Sequence, residues 1–430
     1  MGCQRIYDLP EDLLLWILLL VPTKDAIATA ILSKRNVWKM LYELVFRDEQ
    51  GSESVGWLID KSLQLLEAPR LDSLVVELRS CHVDVDVRKW VEKAVKLGVR
   101  ELDFSLLWTG EPTSLPKSIY TCGTLVRLSL SNQILVHVSF PASLPSLLHL
   151  GLVNVVYKDE DSLARLLSSC PILLKLVVER PGYDNLTNFT VKVPSLKELR
   201  YTNRWREQEE EEEEEEEYPS GSLVIDTPAL EDVVINDNWG DYCTFIDNMP
   251  YLNVVYINNI PNPHEKFLIF FSSSRRLSMY LSEALAPVAC CNTVKFSRLM
   301  DLNFFTEKPV DWLEALILML QNSPKLKTLR IDSMGWCEAS SWNQPSTIPG
   351  CLSSHLEIVW WKQYGGSEDE KQLLPYILAN SKCLKRVEID ISLIPTYNLQ
   401  ECQKELESIP RISPSSRLLY YTPQPNWKFS

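Results

Sequence analysis

Several features that enzymes and metalloproteins usually need are scarce or missing in this 430-residue chain. It has only 14 glycines, which leaves little material for phosphate-cradling loops. The patterns G-x-x-x-x-G-K-[ST], G-x-G-x-x-G, H-E-x-x-H and G-x-S-x-G do not occur. Its five histidines are isolated from paired cysteines, so the sequence shows no zinc-binding motif. The sequence therefore predicts no enzyme, cofactor or metal ion; the weak alternative is a hydrolase whose residues assemble only in space.

The cysteines and the apolar runs indicate an intracellular protein. The eleven cysteines include no C-x-x-C pair, so they do not form a disulfide framework and are expected to be reduced thiols. The apolar run Leu13 to Val21 is too short to span a membrane, which takes about 20 residues. Acidic residues before it, such as Asp8 and Asp12, argue against a secretory signal. We expect a cytoplasmic or nuclear location, or both.

Positive charge is also limited. The chain has 43 Lys plus Arg against 57 Asp plus Glu, and it contains no Lys/Arg-rich block. Nucleic acids and anionic membranes both require a positive face, so neither is expected as the main partner. Glu209 to Glu217 is an unbroken run of nine glutamates, and without it the formal net charge changes from −14 to −5. We interpret residues 207–217 as a solvated acidic insertion in a loop.

The N-terminal sequence predicts short helices that cannot bury their apolar side chains among themselves. Asp8 followed by Pro10 is a typical helix start, and the first helix is expected from about Leu9 to Leu20. A second helix is expected with Thr23 as its cap, and a third is expected to carry the apolar residues of 37–45. The first helix is apolar nearly all around, so it needs more than one buried face. This pattern favours an external partner, with packing on the following domain as the alternative.

The order of residues in this region matches one family. The shared residues are Arg5-Ile6, Asp8-Leu9-Pro10, Leu13-Leu14, Ile17-Leu18, Val21-Pro22-Thr23-Lys24-Asp25, Ala28 and Leu32-Ser33-Lys34-Arg35. On these residues, the stretch 4–46 resembles the F-box of plant F-box proteins. The resemblance implies docking onto the Skp-type adaptor of a cullin-RING ubiquitin ligase and, through the adaptor, onto a cullin. The adaptor-binding residues that it implies are Leu9, Pro10, Leu13, Ile17, Leu18, Pro22, Leu32, Ser33, Lys34 and Arg35.

The match departs from the family after Arg35. The family usually continues with a Trp and a few more residues before a second Trp, whereas here Asn36-Val37 leads directly to Trp38. The third helix is therefore expected to be about two residues shorter, which rotates the helix face that follows by roughly 200°. The alternative that stays open is an interaction scaffold with a degenerate F-box and no ligase role.

Most of the remaining chain repeats the pattern L-x-x-L-x-L, with Leu or Val at the second position and any apolar residue at the last. Copies begin at Leu125, Leu147, Leu173, Leu196, Leu230, Leu252, Leu326, Leu356 and Leu384, with weaker copies at Val99 and Cys291. The first five starting positions, beginning at 99, are separated by 26, 22, 26 and 23 residues. These spacings fall within the period of about 20–29 residues typical of leucine-rich repeats. The pattern predicts one short strand per repeat, stacked over a continuous core.

In such an array, the residues between the inward apolar positions point to solvent. Those predicted to face a target are Arg127, His149, Lys175, Arg200, Tyr256 and Arg330. The face mixes charges of both signs with some apolar groups, and it therefore suits a protein or a small ligand better than a polyanion.

The C-terminal stretch carries a second resemblance. The residues that support it include Cys351-Leu352, Leu356-Glu357, Trp360, Tyr364, Gly366, Glu370-Lys371, Tyr376-Ile377-Leu378, Cys383-Leu384-Lys385 and Pro410-Arg411. On these residues, 347–421 resembles the FBD module of plant F-box/LRR proteins. The local pattern predicts a strand, a Gly365-Gly366 turn, a helix capped by Ser367 with Glu370 three residues on, a further strand and a last helix.

Taken together, the patterns predict an α/β protein in which a three-helix F-box-like module precedes a leucine-rich-repeat solenoid with a curved parallel sheet and an α/β C-terminal cap. The expected boundaries are 4–46 for the helical module, 47–98 for a linker and first irregular repeats, 99–335 for the array and 347–421 for the FBD-like module. The function that the F-box resemblance implies is the substrate-recognition subunit of an SCF-type ubiquitin ligase, with an unknown target protein.

Overall fold

The structure is a computed structural model, and it describes residues 9–29, 35–48, 54–79, 86–108, 110–181, 184–204, 221–238, 242–246, 249–260, 262–291, 294–306, 312–333, 344–395 and 397–421. By their internal contacts, these residues form two compact units. Unit 1 comprises the described residues up to Arg200, with Arg204, and unit 2 comprises residues 201–203 and the described residues from 221 onward. The predicted acidic insertion at 207–217 lies outside the described residues.

Unit 1 alternates short strands with helices. Its α-helices are α1 (Glu11–Leu19), α2 (Thr23–Ala28), α3 (Ser54–Leu65), α4 (Val87–Lys96) and α5 (Glu160–Ser168), and 3-10 helices occur at Val37–Met40 and Lys117–Thr121. Its strands are β1 (Glu43–Arg47), β2 (Ser73–Leu78), β3 (Glu101–Leu106), β4 (Thr113–Ser114), β5 (Arg127–Asn132), β6 (Ile134–Val136), β7 (His149–Val153), β8 (Val156–Tyr157), β9 (Lys175–Pro181), β10 (Asn188–Lys192) and the first half of β11 (Glu198–Arg204).

The main sheet of unit 1 is built from one strand per repeat. Its order is β1-β2-β3-β5-β7-β9, with parallel pairing throughout, and β11 follows β9. The register aligns one inward leucine of each strand with that of the next, and none of these side chains is more than 1% exposed: Leu44, Leu74, Leu102, Leu128, Leu150 and Leu176. Stacking these leucines builds the apolar core that no single repeat could form. Strands β4, β6 and β8 pair in parallel in a second, three-stranded sheet.

Unit 2 has the same alternation. Its α-helices are α6 (Leu285–Cys290), α7 (Trp312–Gln321), α8 (Gly350–Ser354), α9 (Glu368–Asn380) and α10 (Leu399–Ser408), and a 3-10 helix occurs at Phe267–Phe271. Its strands are β12 (Ser222–Asp226), β13 (Asp232–Asp237), β14 (Tyr242–Phe245), β15 (Val254–Asn258), β16 (Arg276–Tyr280), β17 (Asp301–Thr306), β18 (Thr328–Ser333), β19 (Ile358–Lys362), β20 (Arg386–Asp390) and β21 (Arg417–Tyr421).

The main sheet of unit 2 runs β13-β15-β16-β17-β18-β19-β20-β21, and all of these pairs are parallel. An apolar row again crosses it in register, at most 1% exposed: Val233, Val255, Leu277, Leu302, Leu329, Val359 and Val387. Strands β12 and β14 also pair in parallel. The predicted α/β class with a long run of parallel repeat strands is therefore confirmed.

The expected third N-terminal helix is wrong. Residues 37–40 form a single 3-10 turn, and the next apolar residues belong to strand β1. Leu41, Leu44 and Phe46 are at most 3% exposed, because they face the core of the sheet. Leu44 pairs in register with Leu74 of β2. The apolar pattern of this short segment fits a helix or a strand, and the pairing with β2 decides for the strand.

Two further expectations need correction. Thr23 does not cap α2 through its side chain, because it is already the first helical residue. Its hydroxyl oxygen instead accepts a hydrogen bond of 2.8 Å from the Val45 backbone N–H, which ties α2 to β1. The weak repeat at Cys291 is also misplaced, since the strand of that repeat is β17 and the motif begins at Leu299.

The predicted order of the C-terminal stretch is confirmed. Strand β19 is followed by the Gly365-Gly366 turn, where Gly366 has a φ of +74°, and then by α9. Ser367 and Glu370 form a complete capping box at the start of α9. Strand β20 and helix α10 follow in the expected order.

Candidate functional site

The first candidate site is the exposed apolar side of α1. The helix begins after Pro10, and none of its residues is buried. Glu11 and Asp12 lie in its first turn, where negatively charged side chains stabilise a helix. Leu13, Trp16, Ile17 and Leu20 follow the i, i+3, i+4, i+7 pattern and therefore lie on one side, and they are 52%, 68%, 38% and 84% exposed. With Val21, which is 39% exposed, these residues form what we call the apolar N-terminal surface.

The predicted adaptor-binding residues only partly coincide with this surface. Leu13 and Ile17 belong to it; Pro10 and Pro22 are exposed nearby, and Leu9 and Leu18 are half-buried. The Arg35 guanidinium donates a hydrogen bond of 2.9 Å to the Leu9 carbonyl, so the two ends of the predicted set lie together. Leu32, Ser33 and Lys34 lie outside the described residues. Contact of any of these residues with an adaptor stays a prediction.

The adaptor-binding residues that the resemblance implies do not include Trp16, Leu20 and Val21, although Trp16 and Leu20 are the most exposed members of this surface. The signal was present, because α1 is apolar on more than the face that a family match marks. A large apolar patch on an otherwise folded surface is typical of a protein interface.

The second candidate site is the solvent-facing side of the unit 1 sheet. Arg127, His149 and Lys175 are neighbours in register on β5, β7 and β9. Burial and then the charges of Arg127 and Lys175 lower the pKa of His149 below its usual 6.5. Glu198 accepts hydrogen bonds of 2.8 Å from both Lys175 and Arg200. Burial acts to raise the pKa of Glu198, but these two hydrogen bonds lower it overall. Four of the six predicted target-facing residues thus lie together on this side of the sheet.

The solvent-facing side of the unit 2 sheet is more aromatic. Tyr256 and Arg330 are exposed on it, as predicted, on β15 and β18. The Arg330 guanidinium carbon lies 5.7 Å from the ring centre of Trp360, its neighbour in register on β19. A depression of about 380 Å³ beside it includes Trp360, Glu388 and Tyr421.

A second depression of about 270 Å³ in unit 2 joins Tyr256 to Tyr280 and Phe305. Sequence reasoning missed Trp360, Tyr280 and Tyr421, although Trp360 stands at an intervening position of the Leu356 repeat and the same template marks it as solvent-facing. Trp360 is 45% exposed and Tyr421 is 48% exposed, so both are available to a partner.

The described residues contain no group of three or more His, Cys, Asp or Glu side chains that could hold a metal ion. Among the same residues, no helix is both long enough and apolar enough to cross a membrane. Cys122, Cys170, Cys243 and Cys351 are buried thiols, and burial raises the pKa of Cys170 to about 11. That shift keeps the thiol protonated and makes it a poor nucleophile.

Comparison with known proteins agrees with this architecture over nearly the whole chain. Residues 344–389 match the FBD family, and residues 87–255 match the family described as "FBD-associated F-box protein At5g56370, LRR repeats". A "Putative F-box/FBD/LRR-repeat protein At1g22000" of Arabidopsis thaliana is 57% identical, over 98% of this chain and 93% of that protein. A "Putative FBD-associated F-box protein At1g05080" from the same plant is 44% identical, over 97% of this chain and 98% of that protein.

A further Arabidopsis thaliana relative, "F-box/FBD/LRR-repeat protein At5g56420", is 36% identical over 97% of this chain and 99% of its own length. The similarity therefore includes the N-terminal helices, the repeats and the C-terminal module together. On these grounds, the chain belongs to the plant F-box/FBD/LRR-repeat family.

Proposed function

We propose that the chain is the substrate-recognition subunit of an SCF-type ubiquitin ligase. Its N-terminal helices bind a Skp-type adaptor and, through the adaptor, a cullin, while the solvent-facing sides of the repeat sheets bind a target protein. The family names support an F-box protein. The reduced, buried thiols support a cytoplasmic or nuclear place of action, where disulfides are rare.

The observation that carries the proposal is the exposure of the apolar N-terminal surface. Trp16 on α1 is 68% exposed, and Leu20, four residues on and directly after the helix, is 84% exposed. Leaving such side chains in water costs roughly 25 cal/mol for each Å² of apolar area. A protein partner that covers this side of α1 removes that cost, and Trp is one of the residue types enriched at interface hot spots.

The proposed mechanism is proximity. The chain holds the ligase at one surface and the target at another, which raises the effective concentration of target lysines near the charged ubiquitin carrier. This mechanism needs no nucleophile, general base or metal ion in the chain itself. The chain therefore acts as a non-catalytic subunit of an enzyme complex.

The test is co-purification of the full chain with a set of plant Skp-type adaptors. Trp16→Glu and Leu20→Glu place a charge on the proposed contact without disturbing the core, since both side chains are exposed. Hot-spot truncations cost about 2 kcal/mol or more, so each variant should bind at least about thirtyfold more weakly. The matched control is Trp57→Glu on α3, because Trp57 is 63% exposed but lies outside the apolar N-terminal surface.

A second candidate is supported by the conformation of residues 37–47. Residues that an F-box would place in that helix instead form a 3-10 turn and strand β1 of the repeat sheet. This observation favours an interaction scaffold that has kept the repeats but not the ligase role. If the folded wild-type chain bound none of the adaptors, the scaffold function would replace the receptor function. Equal loss of binding in the Trp57 control would also count against the proposed contact.

A further inference from the structure

Unit 2 carries a concentrated basic surface outside both candidate sites. Arg275, Arg298, Lys325, Lys327 and His355 surround a depression of about 500 Å³, together with Met300. We call these five residues the basic turn surface. No carboxylate lines the depression. The feature is unexpected in a chain whose formal net charge is −14 and whose sequence has no basic block.

The fold assembles this surface from residues that are far apart in sequence. Arg275, Met300 and Lys327 each occupy the turn position just before the strand of their repeat. A main-chain ladder joins them, with the Met300 N–H 2.8 Å from the Arg275 carbonyl oxygen and the Lys327 N–H 2.9 Å from the Met300 carbonyl oxygen. Arg298 and Lys325 lie two residues earlier in successive turns. Since neighbouring strands are spaced by about 4.8 Å, the turns before β16 to β19 set these side chains at regular intervals over roughly 14 Å.

The positive charge is poorly compensated. Among the described residues, no carboxylate forms an ion pair with Arg275, Arg298 or Lys325; the Arg298 guanidinium donates only to a backbone carbonyl, that of Pro250, at 3.2 Å. Lys327 lies 3.9 Å from Glu357, but that carboxylate is closer to Lys385, at 2.7 Å. The surface thus presents several exposed cations that have no anion of their own.

In unit 1, the turns before β5 and β7 hold no such cluster. The positions equivalent to Arg298 and Lys325 are occupied there by Thr124 and Ser146. The Thr124 hydroxyl donates to the Val99 carbonyl at 2.8 Å, and the Ser146 hydroxyl donates to the Gly123 carbonyl at 2.7 Å. These short side chains close the turn. The long cations in unit 2 cannot be explained by that structural requirement of the repeat.

We propose that the basic turn surface binds an acidic, Asp- or Glu-rich segment of a partner protein. An extended segment of four or five residues spans about 13–17 Å, which matches the length of the surface. Charge complementarity then supplies both the attraction and the register of the segment. The partner is distinct from the adaptor, and the binding holds whether or not the chain serves a ligase.

A nucleic acid fits this surface less well. The residues that line the depression include no Trp, Tyr or Phe on which bases could stack. Affinity for a nucleic-acid backbone grows with the number of phosphates that Lys and Arg neutralise, and this surface offers four such side chains. A net charge of −14 further disfavours a long polyanion that extends beyond the surface. A short acidic segment avoids most of that repulsion.

The test is fluorescence anisotropy of the full chain with a labelled nonaglutamate peptide as the probe. Saturable binding is expected, and it should weaken severalfold between about 50 and 300 mM NaCl, because the Debye length shortens over that range. The double substitution Arg298→Glu/Lys325→Glu should reduce affinity by about tenfold or more, since it replaces two attractive contacts with two repulsive ones. The neutral pair Arg298→Gln/Lys325→Gln should give a smaller loss in the same direction.

The matched control is Arg100→Glu/Lys197→Glu, which changes the net charge by the same amount at exposed turn positions of unit 1. It should change affinity by less than about twofold, because screening confines the effect to nearby charges. Circular dichroism of each variant shows whether the fold is retained, and the Gln pair provides the test if the Glu pair does not fold. An absence of saturable binding, or an equal loss in the control, overturns the proposal.

Two other occupants are distinguishable in the same assay. If the probe binds only to a variant that lacks Glu209–Glu217, the chain's own glutamates occupy the surface, and a partner segment does not. If an oligouridylate of equal length displaces the probe at lower concentration and responds to the same substitutions, the surface binds nucleic acid. Either result replaces the proposal with that occupant.

Discussion

Replacing Glu370 with alanine should destabilise the C-terminal part of unit 2. Glu370 lies in the first turn of α9 and is only 3% exposed. Its carboxylate accepts hydrogen bonds from the Trp361 indole N–H at 3.1 Å, the Gly365 backbone N–H at 3.1 Å and the Ser367 backbone N–H at 2.9 Å. One side chain thus joins strand β19, the glycine turn and the helix start that the family match includes.

The expected cost follows from the three donors that lose their acceptor. The Trp361 side chain is 1% exposed, so its N–H is left buried and unsatisfied, at about 2 kcal/mol. Gly365 and Ser367 are half-buried, and water can partly replace the carboxylate there, at roughly 1 kcal/mol each. Glu370→Ala should therefore cost about 4 kcal/mol in total. Glu370→Gln keeps one acceptor oxygen but points an amide toward the donors, so it should cost about half as much.

Hydrogen exchange measured by mass spectrometry gives the local readout. For peptides that cover residues 361–380, a loss of about 4 kcal/mol corresponds to exchange up to about a thousandfold faster. Peptides from α5 in unit 1 serve as the internal reference. The matched control is Glu368→Ala, which removes an exposed carboxylate from the same helical turn and should cost no more than about 0.5 kcal/mol. If the Glu370 and Glu368 variants exchanged at equal rates, the assigned role of the buried carboxylate would be refuted.

Two further predictions concern unit 1. Asp184→Ala should lower the free energy of unfolding by about 3–5 kcal/mol, because it leaves the buried Arg180 guanidinium without its bidentate partner. The double substitution Arg180→Met/Asp184→Leu should recover much of that loss. Urea unfolding followed by circular dichroism measures both effects. A single-variant cost below about 1 kcal/mol would contradict this. NMR titration of labelled histidines should place the pKa of His149 below 6.5, since burial and the charges of Arg127 and Lys175 lower it. The folded state then binds fewer protons than the unfolded state, so the contribution of His149 to stability is complete above pH 6.5 and decreases as pH falls. A value at or above 6.5 would contradict the effects assigned to burial and to these two charges.

The repeat strands were predictable because their signal is short and periodic. In each copy of L-x-x-L-x-L, the apolar residues fall on one face of a strand, and this reading placed β5, β7, β15, β18 and β20 correctly. Leu299-x-x-Leu302-x-Phe304 fits the same template and forms β17, so the strand could have been found without a structure. The displaced reading at Cys291 came from accepting a weaker match eight residues earlier.

The first two strands show where local sequence is ambiguous. Leu41-x-x-Leu44-x-Phe46 and Leu71-x-x-Leu74-x-Val76 both fit the repeat template and form β1 and β2. The first of these also follows two helices and matches the place of a third helix in the family. A five-residue strand and a short helix bury similar apolar area, so only the parallel pairing with the neighbouring strand decides between them.

For the candidate sites, the sequence marks solvent-facing positions but does not show which of them lie together. Arg127, His149 and Lys175 could be placed in one row, because equal repeat spacing implies equal register. The basic turn surface could not be found in this way, because Arg298 and Lys325 are separated by a whole repeat and neither lies in a run of basic residues. Its existence depends on how neighbouring turns stack, which only the structure describes.

The way in which α1 and α2 join the repeats matters for a proximity mechanism. Residues 47–98, expected to be a linker with irregular repeats, contain α3, β2 and α4. The hydrogen bond from the Val45 N–H to Thr23 fixes α2 on β1, and β1 is itself paired with β2. Because the effective concentration of a tethered group depends on the stiffness of its connection, an adaptor bound as proposed would be held at a defined distance from the repeats of unit 1. A target bound on the Arg127–Lys175 row would then present the ligase with a restricted set of lysines.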